Sequence, residues 1–361
     1  MRGNAQQDGI VLAHRHDPPP AVEPRLVGRE AREELEDSTL ARGATRAHGA
    51  GNRALDEAPD LLRTCFERDR DRILHSTAFR RLAGKTQVFV FPADHQRTRL
   101  THALEVAQVA TAISRAVGLN VALTEAIALG HDCGHGPGGH ASEDAFDPYV
   151  EEGYHHAIWG ADVVLRPLNL CVETLDGIRN HSWSLPTPAT PEGVVVSWSD
   201  RYAYCAHDLE DAVGAGIVST DDLPLSVAMV LGCTRPQQLR SLIDALVRSI
   251  STNGIIGVDQ VHAEALADLR AFNYERIYQR PASMEQGESV IAVLRALVDY
   301  FIEHPDLLEL DAADSEPGIV RSVVTYVAGM TDRFAFETAV NLLGWSTDRL
   351  PRGIDSPRRL R

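Results

Sequence analysis

The chain has 361 residues, 44% of them hydrophobic, with 51 Asp and Glu against 35 Lys and Arg for a net charge of −16. This is the composition expected of a soluble globular protein with a substantial core, in one large domain or two ordinary ones, whose surface on average repels nucleic acid and anionic membranes. No apolar run is long enough to span a membrane, no apolar signal core opens the chain and the five cysteines form no CxxC pair, so a reducing, cytoplasmic setting without a cysteine-based zinc site is expected.

Residues 1–54 carry Pro18–Pro20, many charges and no sustained apolar period, and are expected to be mostly disordered apart from a short helix near Arg29–Leu40. A short hairpin is expected near Gln87–Phe91. From there the pattern is overwhelmingly helical. In RTRLTHALEVAQVATAISRAVGLN, Leu100, Ala103, Leu104 and Ala107 share one face, and His102, Val106, Val109 and Ile113 form a second stripe roughly opposite. That predicts a helix buried on both sides and stopped at Gly118-Leu119-Asn120. LTEAIALGHD predicts a buried helix that delivers His131-Asp132 at its C-terminal end. Further helices are predicted at 154–166, 170–180, 193–215, 223–231, 236–251, 258–279, 288–303, 317–329 and 333–344, with a weak strand signal at Gly254–Val258. The ending SPRRLR reads as part of a basic tail over 346–361. The predicted fold class is all-α, with one unit over 55–345.

A lone histidine such as His102 on an apolar helix stripe is ordinarily a hydrogen-bonded core residue. An adjacent His131-Asp132 pair ending a buried helix is less ordinary, because an aspartate buried without a partner costs several kcal/mol. A bound cation is the simplest partner. Neutral imidazoles with carboxylates suit Mg, Mn, Fe or Zn, and no thiolate motif favours zinc alone. A further acid is then needed. SWSDRYAYCAHDLEDA offers Asp200 and Asp208, which with Tyr204 share one helix face, whereas Glu210 and Asp211 read as a solvated acidic face. Spacing leaves Asp200 and Asp208 both open.

Five blocks in order carry a resemblance: RDRDRILHSTAFRRLAGKTQVF, RTRLTHALEVAQVA, AIALGHDCGHGPGGHASEDAF, DRYAYCAHDLEDA and GMTDRFA. With the H…HD…D series they resemble the deoxyguanosine-triphosphate triphosphohydrolase-like (dGTPase-like) branch of the HD-domain metal-dependent phosphohydrolases, over roughly residues 55–345. The resemblance implies an HD-domain helical fold, its core at about 97–215 with additional C-terminal helices over 216–345. It implies hydrolysis of deoxynucleoside triphosphates (dNTPs) to deoxynucleoside and tripolyphosphate, with a divalent metal held by His102, His131, Asp132 and Asp200 to activate water and polarise the α-phosphate.

By the same resemblance, the glycines at 134, 136, 138 and 139 end the helix sharply and let backbone approach a phosphate. His140 and Glu143, at i and i+3 on a new helix, form an acid–base dyad with His156 nearby, and His135 contacts the α-phosphate. Arg99, Arg201 and Arg270 hold the polyphosphate. Gln87 and Asp208 read the 3′-hydroxyl, Tyr278 crowds the 2′ carbon, and Tyr204 touches sugar or phosphate. The chain departs from the family where YHHAIWG puts Ala157 and Trp159 in place of amide residues, and where Gly138 stands for a common phenylalanine. Expected partners are a dNTP substrate, an activating nucleotide at subunit interfaces and further copies of the chain. Nucleic acid is a minor expectation, and no membrane is expected. The competing readings are an HD phosphohydrolase for a nucleoside monophosphate or a guanosine alarmone, and a non-catalytic nucleotide sensor.

Overall fold

Local signals set most helix limits. The computed structural model describes residues 5–7, 10–13, 22–90, 96–308 and 316–351. Its early helices are α1 (Arg29–Thr39), α2 (Cys65–His75), α3 (Thr77–Arg81), α4 (Arg99–Val117), α5 (Val121–Gly130), α6 (Ala141–Phe146) and α7 (His156–Trp159). They continue as α8 (Val172–Arg179), α9 (Pro191–Gly214), α10 (Leu225–Val230), α11 (Arg235–Asn253), α12 (Gln260–Asn273), α13 (Pro281–Glu303), α14 (Glu316–Ala328) and α15 (Asp332–Leu343). The only strands among the described residues are a short antiparallel pair, Ala5–Gln7 with Ile10–Leu12. The class is all-α, as the periodicity predicts.

Caps explain the stops. Thr64 and Glu67 close a capping box on α2, and Thr190 accepts from the Gly193 N–H with Pro191 in the first turn of α9. Gly118 ends α4 at φ 73°, a left-handed conformation that glycine adopts without strain. The long helices pack in two apolar groups. In the first, α4 lies on α5 and α9, burying Ile113, Ile127, Tyr202, Leu242 and Leu266. In the second, α13 packs on α6, α14 and α15 and buries Phe146, Trp159, Val290, Leu297 and Phe336. Each such side chain contributes about 1.5–3 kcal/mol on leaving water.

Several expectations change. The stretch after α1 is packed: Ala44 and Ala47 are buried in the first core. Thr45 donates through its N–H and hydroxyl to Glu192, a carboxylate fully removed from solvent. Sequence reading treats this stretch as tail because its apolar residues are small and aperiodic; it is held by polar bonds to distant elements. α2 and α3, among the charges of RDRDR and FRR, are also helices that periodicity does not isolate. No strand forms at Gly254–Val258, where Gly254 caps α11 at φ 70°. Nor does a hairpin form over Gln87–Val90, a run of bends beside a single bridge between Thr86 and Thr98; Phe91 lies outside the described residues. The 154–166 helix is broken into α7, a π turn at Gly160–Val164 and a 3-10 turn at Arg166–Leu168. Leu104 is 47% exposed, so α4 is buried more by its alanines than by both leucines. At the C-terminal end Thr347–Arg349 forms a 3-10 turn and Leu350 packs on the second core, while residues 352–361 lie outside the described part.

Candidate active site

Three helices bring the first cluster together. α4 presents His102, the end of α5 presents His131 and Asp132, and α9 presents Asp200. Asp200 Oδ1 lies 3.0 Å from His102 Nε2 and 3.6 Å from His131 Nε2. Asp132 lies 3.5 Å from His131 Nε2 and 4.0 Å from His102 Nε2. The geometry separates the two aspartates that spacing leaves open: Asp208 turns away and accepts from the Tyr278 hydroxyl at 2.5 Å.

The donor set fits a divalent cation. His131 donates from Nδ1 to the Ala128 carbonyl at 2.7 Å, which fixes its tautomer and leaves the buried Nε2 with no hydrogen-bond partner. His102 Nδ1 is also buried without a partner. Burial alone would lower the His131 pKa, yet Asp132 and Asp200 outweigh it and raise it to about 9. Both carboxylates stay ionised against burial: Arg99 and His131 hold Asp132 low, and His102 and His131 do so for Asp200. The pocket therefore calls for positive charge, and His102, His131 and Asp200 offer ligand atoms within 4.8 Å of one another. Arg99 is the present counter-charge, with Nη1 2.9 Å from Asp132 Oδ2.

A second cluster follows the glycine loop. A Cβ on Gly134 would overlap the His156 carbonyl and the Gly160 amide, so glycine there lets the loop lie against α7. That contact stacks the His135 ring on His156, centroids 3.7 Å apart. Glu143 on α6 faces three imidazoles, with His156 Nδ1 at 2.5 Å, His140 Nδ1 at 3.6 Å and His135 Nδ1 at 3.8 Å. His140 and His156 hold the Glu143 carboxyl far below the usual range despite burial. The expected His140–Glu143 neighbours do meet, yet the closer partner of the carboxylate is His156. His140 is largely exposed on the cavity side.

Sequence reading missed His181, at the end of α8. It is buried, donates from Nδ1 to Ile178 and places Nε2 3.2 Å from His156 Nε2. Its ring also sits 4.9 Å from that of His131, so it spans both clusters. Burial, then His131 and His156, lower its pKa to about 3 and keep it neutral. Only its place at a helix end just before Trp183 marks it in the sequence.

Both clusters open into one cavity of about 410 Å³, also lined by Gln87, Arg99, Arg201, Tyr204, Asp208, Arg270 and Tyr278. Every expected site residue thus lines it or, for His131 and Glu143, touches residues that do. Arg270 donates from Nε to the Tyr204 hydroxyl at 3.2 Å. Arg201 stacks on the Trp183 ring, 3.6 Å from its centroid, a contact that spacing does not foretell. Tyr278 reaches the cavity because α12 loosens into a π turn at Tyr274–Tyr278, which re-aims its last residue. The departures from the family pattern have a packing reason. Ala157 and Trp159 are buried, Trp159 4.9 Å from Tyr154 and beneath Arg321, and neither competes for the face that His156 turns to Glu143. Gly138 sits at φ 74° against Val290, where any Cβ would collide.

A buried His–Asp cluster joined by a glycine loop to a His–Glu cluster, on an all-α frame, defines an HD-domain phosphohydrolase. Residues 99–205 match the HD domain, and residues 256–340 match the phosphohydrolase-associated domain. The chain is 41% identical over 320 residues to a deoxyguanosinetriphosphate triphosphohydrolase-like protein of Caldanaerobacter subterraneus, covering 85% of this chain and 93% of the relative. Similarly named proteins of Clostridium perfringens (40% over 301 residues, 77% and 86%) and Desulfatibacillum aliphaticivorans (37% over 339 residues, 85% and 95%) are also similar. The chain belongs to the deoxyguanosinetriphosphate triphosphohydrolase-like family.

Proposed function

We propose that the protein hydrolyses deoxynucleoside triphosphates to deoxynucleoside and tripolyphosphate, with water attacking the α-phosphorus. The observation that carries this reading is the meeting of the His–Asp cluster, the His–Glu cluster and three arginines in one cavity. His102, His131, Asp132 and Asp200 would hold a divalent cation, whose chemistry is to polarise a phosphoryl oxygen and acidify water.

The chain's own groups do the rest. Arg99, Arg201 and Arg270 bind the polyphosphate, and on substrate entry Arg99 exchanges its Asp132 partner for phosphate oxygens. His135, kept neutral by burial and by the nearby Arg99 and His156 and turning Nε2 to Asp132 at 3.2 Å, contacts the α-phosphate. His140, exposed on the cavity side, transfers a proton to the leaving oxygen, while Glu143, itself held by His156, orients it. Gln87, whose Oε1 is buried without a partner, and Asp208 read the 3′-hydroxyl. Tyr278, held by Asp208, closes the space a 2′-hydroxyl would need, and Tyr204 lies against sugar and phosphate.

The test is product analysis with Mn²⁺ or Mg²⁺ and each dNTP, alone and mixed. Tripolyphosphate with deoxynucleoside is expected. Pyrophosphate or monophosphate products, or no turnover under any condition, would overturn the reading.

A further inference from the structure

The GMTDRFA block and the lysine of GKTQ take no part in the chemistry above, yet both end in a buried polar junction beside the glycine loop. Asp332, the first residue of α15, is 4% exposed, and Thr86 and Lys85 are each 3% exposed. One Asp332 oxygen, Oδ1, accepts the Gly138 N–H of the glycine loop at 2.8 Å. The other, Oδ2, accepts the Thr86 N–H at 2.9 Å and the Thr86 hydroxyl at 2.5 Å. Lys85 donates from Nζ to the His135 carbonyl and, at 2.9 Å, to the Ala328 carbonyl at the end of α14. Thr331 caps α15 and lies against Gly84, where a Cβ would not fit.

Three segments distant in sequence, 85–86, 135–138 and 328–332, are therefore tied by two side chains. One carboxylate grips both the loop that carries His135 and His140 and the segment that carries Gln87. A surface aspartate at a helix start would need none of these partners. An aspartate buried here leaves water for three charge-assisted bonds, all to groups next to candidate substrate contacts.

We infer that Asp332, in the phosphohydrolase-associated domain, is a positioning residue for the reaction in the HD domain, fixing the Gly138 turn against the Thr86–Gln87 segment. Lys85 pins the same loop from its other side. Arg270 and Tyr278 of the associated domain line the cavity directly, whereas Asp332 acts on the site from behind the loop without lining it. This rests on the hydrolase reading above.

Asp332→Asn is the test, with Thr86→Val as a second variant should the first fail to fold. Whichever way the new amide turns, either Gly138 or Thr86 loses its N–H acceptor, while the side chain keeps its volume. Turnover of the preferred dNTP, the Mn²⁺-induced rise in Tm, and amide hydrogen exchange over 134–141 are measured for both variants and the parent. The expected result is kcat lower by about tenfold to a hundredfold. KM should stay within about threefold, the Mn²⁺-induced rise in Tm should be kept, and exchange at the loop should be faster. Parental kcat with only a lowered Tm would make the junction merely structural and overturn the inference. A parent that turns over no nucleotide would overturn the hydrolase reading instead; unchanged exchange at the loop would overturn the clamp whatever the activity.

Discussion

Asp208 is the residue whose protonation departs most usefully from the ordinary. Burial pushes its carboxyl up to about 7, opposed by the Tyr278 hydroxyl that it accepts. An unfolded aspartate titrates near 3.9, so the folded chain keeps this proton longer than the unfolded one does. Stability tied to Asp208 is therefore fully present below about pH 4 and is lost as pH rises through about 7. Asp208→Asn should flatten the fall in Tm between those limits, an effect of a few kcal/mol at most. An unaltered pH dependence would show that the group is ionised throughout. Gly134 makes a steric case at the same scale. Gly134→Ala should destabilise by about 1–3 kcal/mol or more in thermal unfolding, because the backbone of α7 cannot yield without moving His156. The sequence marks Gly134 as one of several loop glycines, but its contact with α7 is a property of packing.

At the scale of elements, α9 carries the last aspartate of the first cluster, an arginine, a tyrosine and Asp208 along one helix. Its register is set at its start, where the Glu192 carboxylate accepts the N–H groups of Thr45 and Asn120 and the Thr45 hydroxyl. Glu192→Ala would strand these donors in a dry site, at about 1–3 kcal/mol for each buried group left unpaired. A matching fall in Tm should follow, with Glu192→Gln milder because its amide oxygen still accepts. Equal stability of the alanine variant and the parent would mean that water replaces the carboxylate. The period of α9 was legible in VVVSWSDRYAYCAHDLEDA, since apolar spacing is local. Its anchor to residues after α1 was not, because Thr45 is 147 positions away and looks like any loop threonine.

For the whole molecule, the consequence of the first cluster is linkage between cation binding and folding. Two histidines and two aspartates drawn from three helices are gathered only in the folded chain, so Mn²⁺ should raise Tm, by the equivalent of about 2.7 kcal/mol at a hundred times its Kd. Chelation should reverse the rise, and Asp132→Ala should abolish it. A full rise in that variant would show that the cation sits elsewhere. None of the described helices is long and apolar enough to cross a membrane. The two apolar cores meet around the cavity, so the site depends on both the HD domain and the helices that follow it.

The sequence by itself determined the helical class, most limits of the long helices and the order of the histidine and aspartate blocks, although α13 begins at Pro281 rather than at 288 and α12 ends at Asn273 rather than at 279. Caps, glycine stops and a repeat of 3.6 residues act between near neighbours, and so they can be read along the chain. Tertiary structure set Asp200, which spacing leaves open and the family resemblance favours, beside His102, and it alone decided that Glu143 turns most closely to His156 and that Asp332 holds the glycine loop. Those pairs lie 98, 13 and 194 positions apart. Contacts at such separations are chosen by how helices pack and by which buried polar groups still need a partner, and no local pattern records that choice.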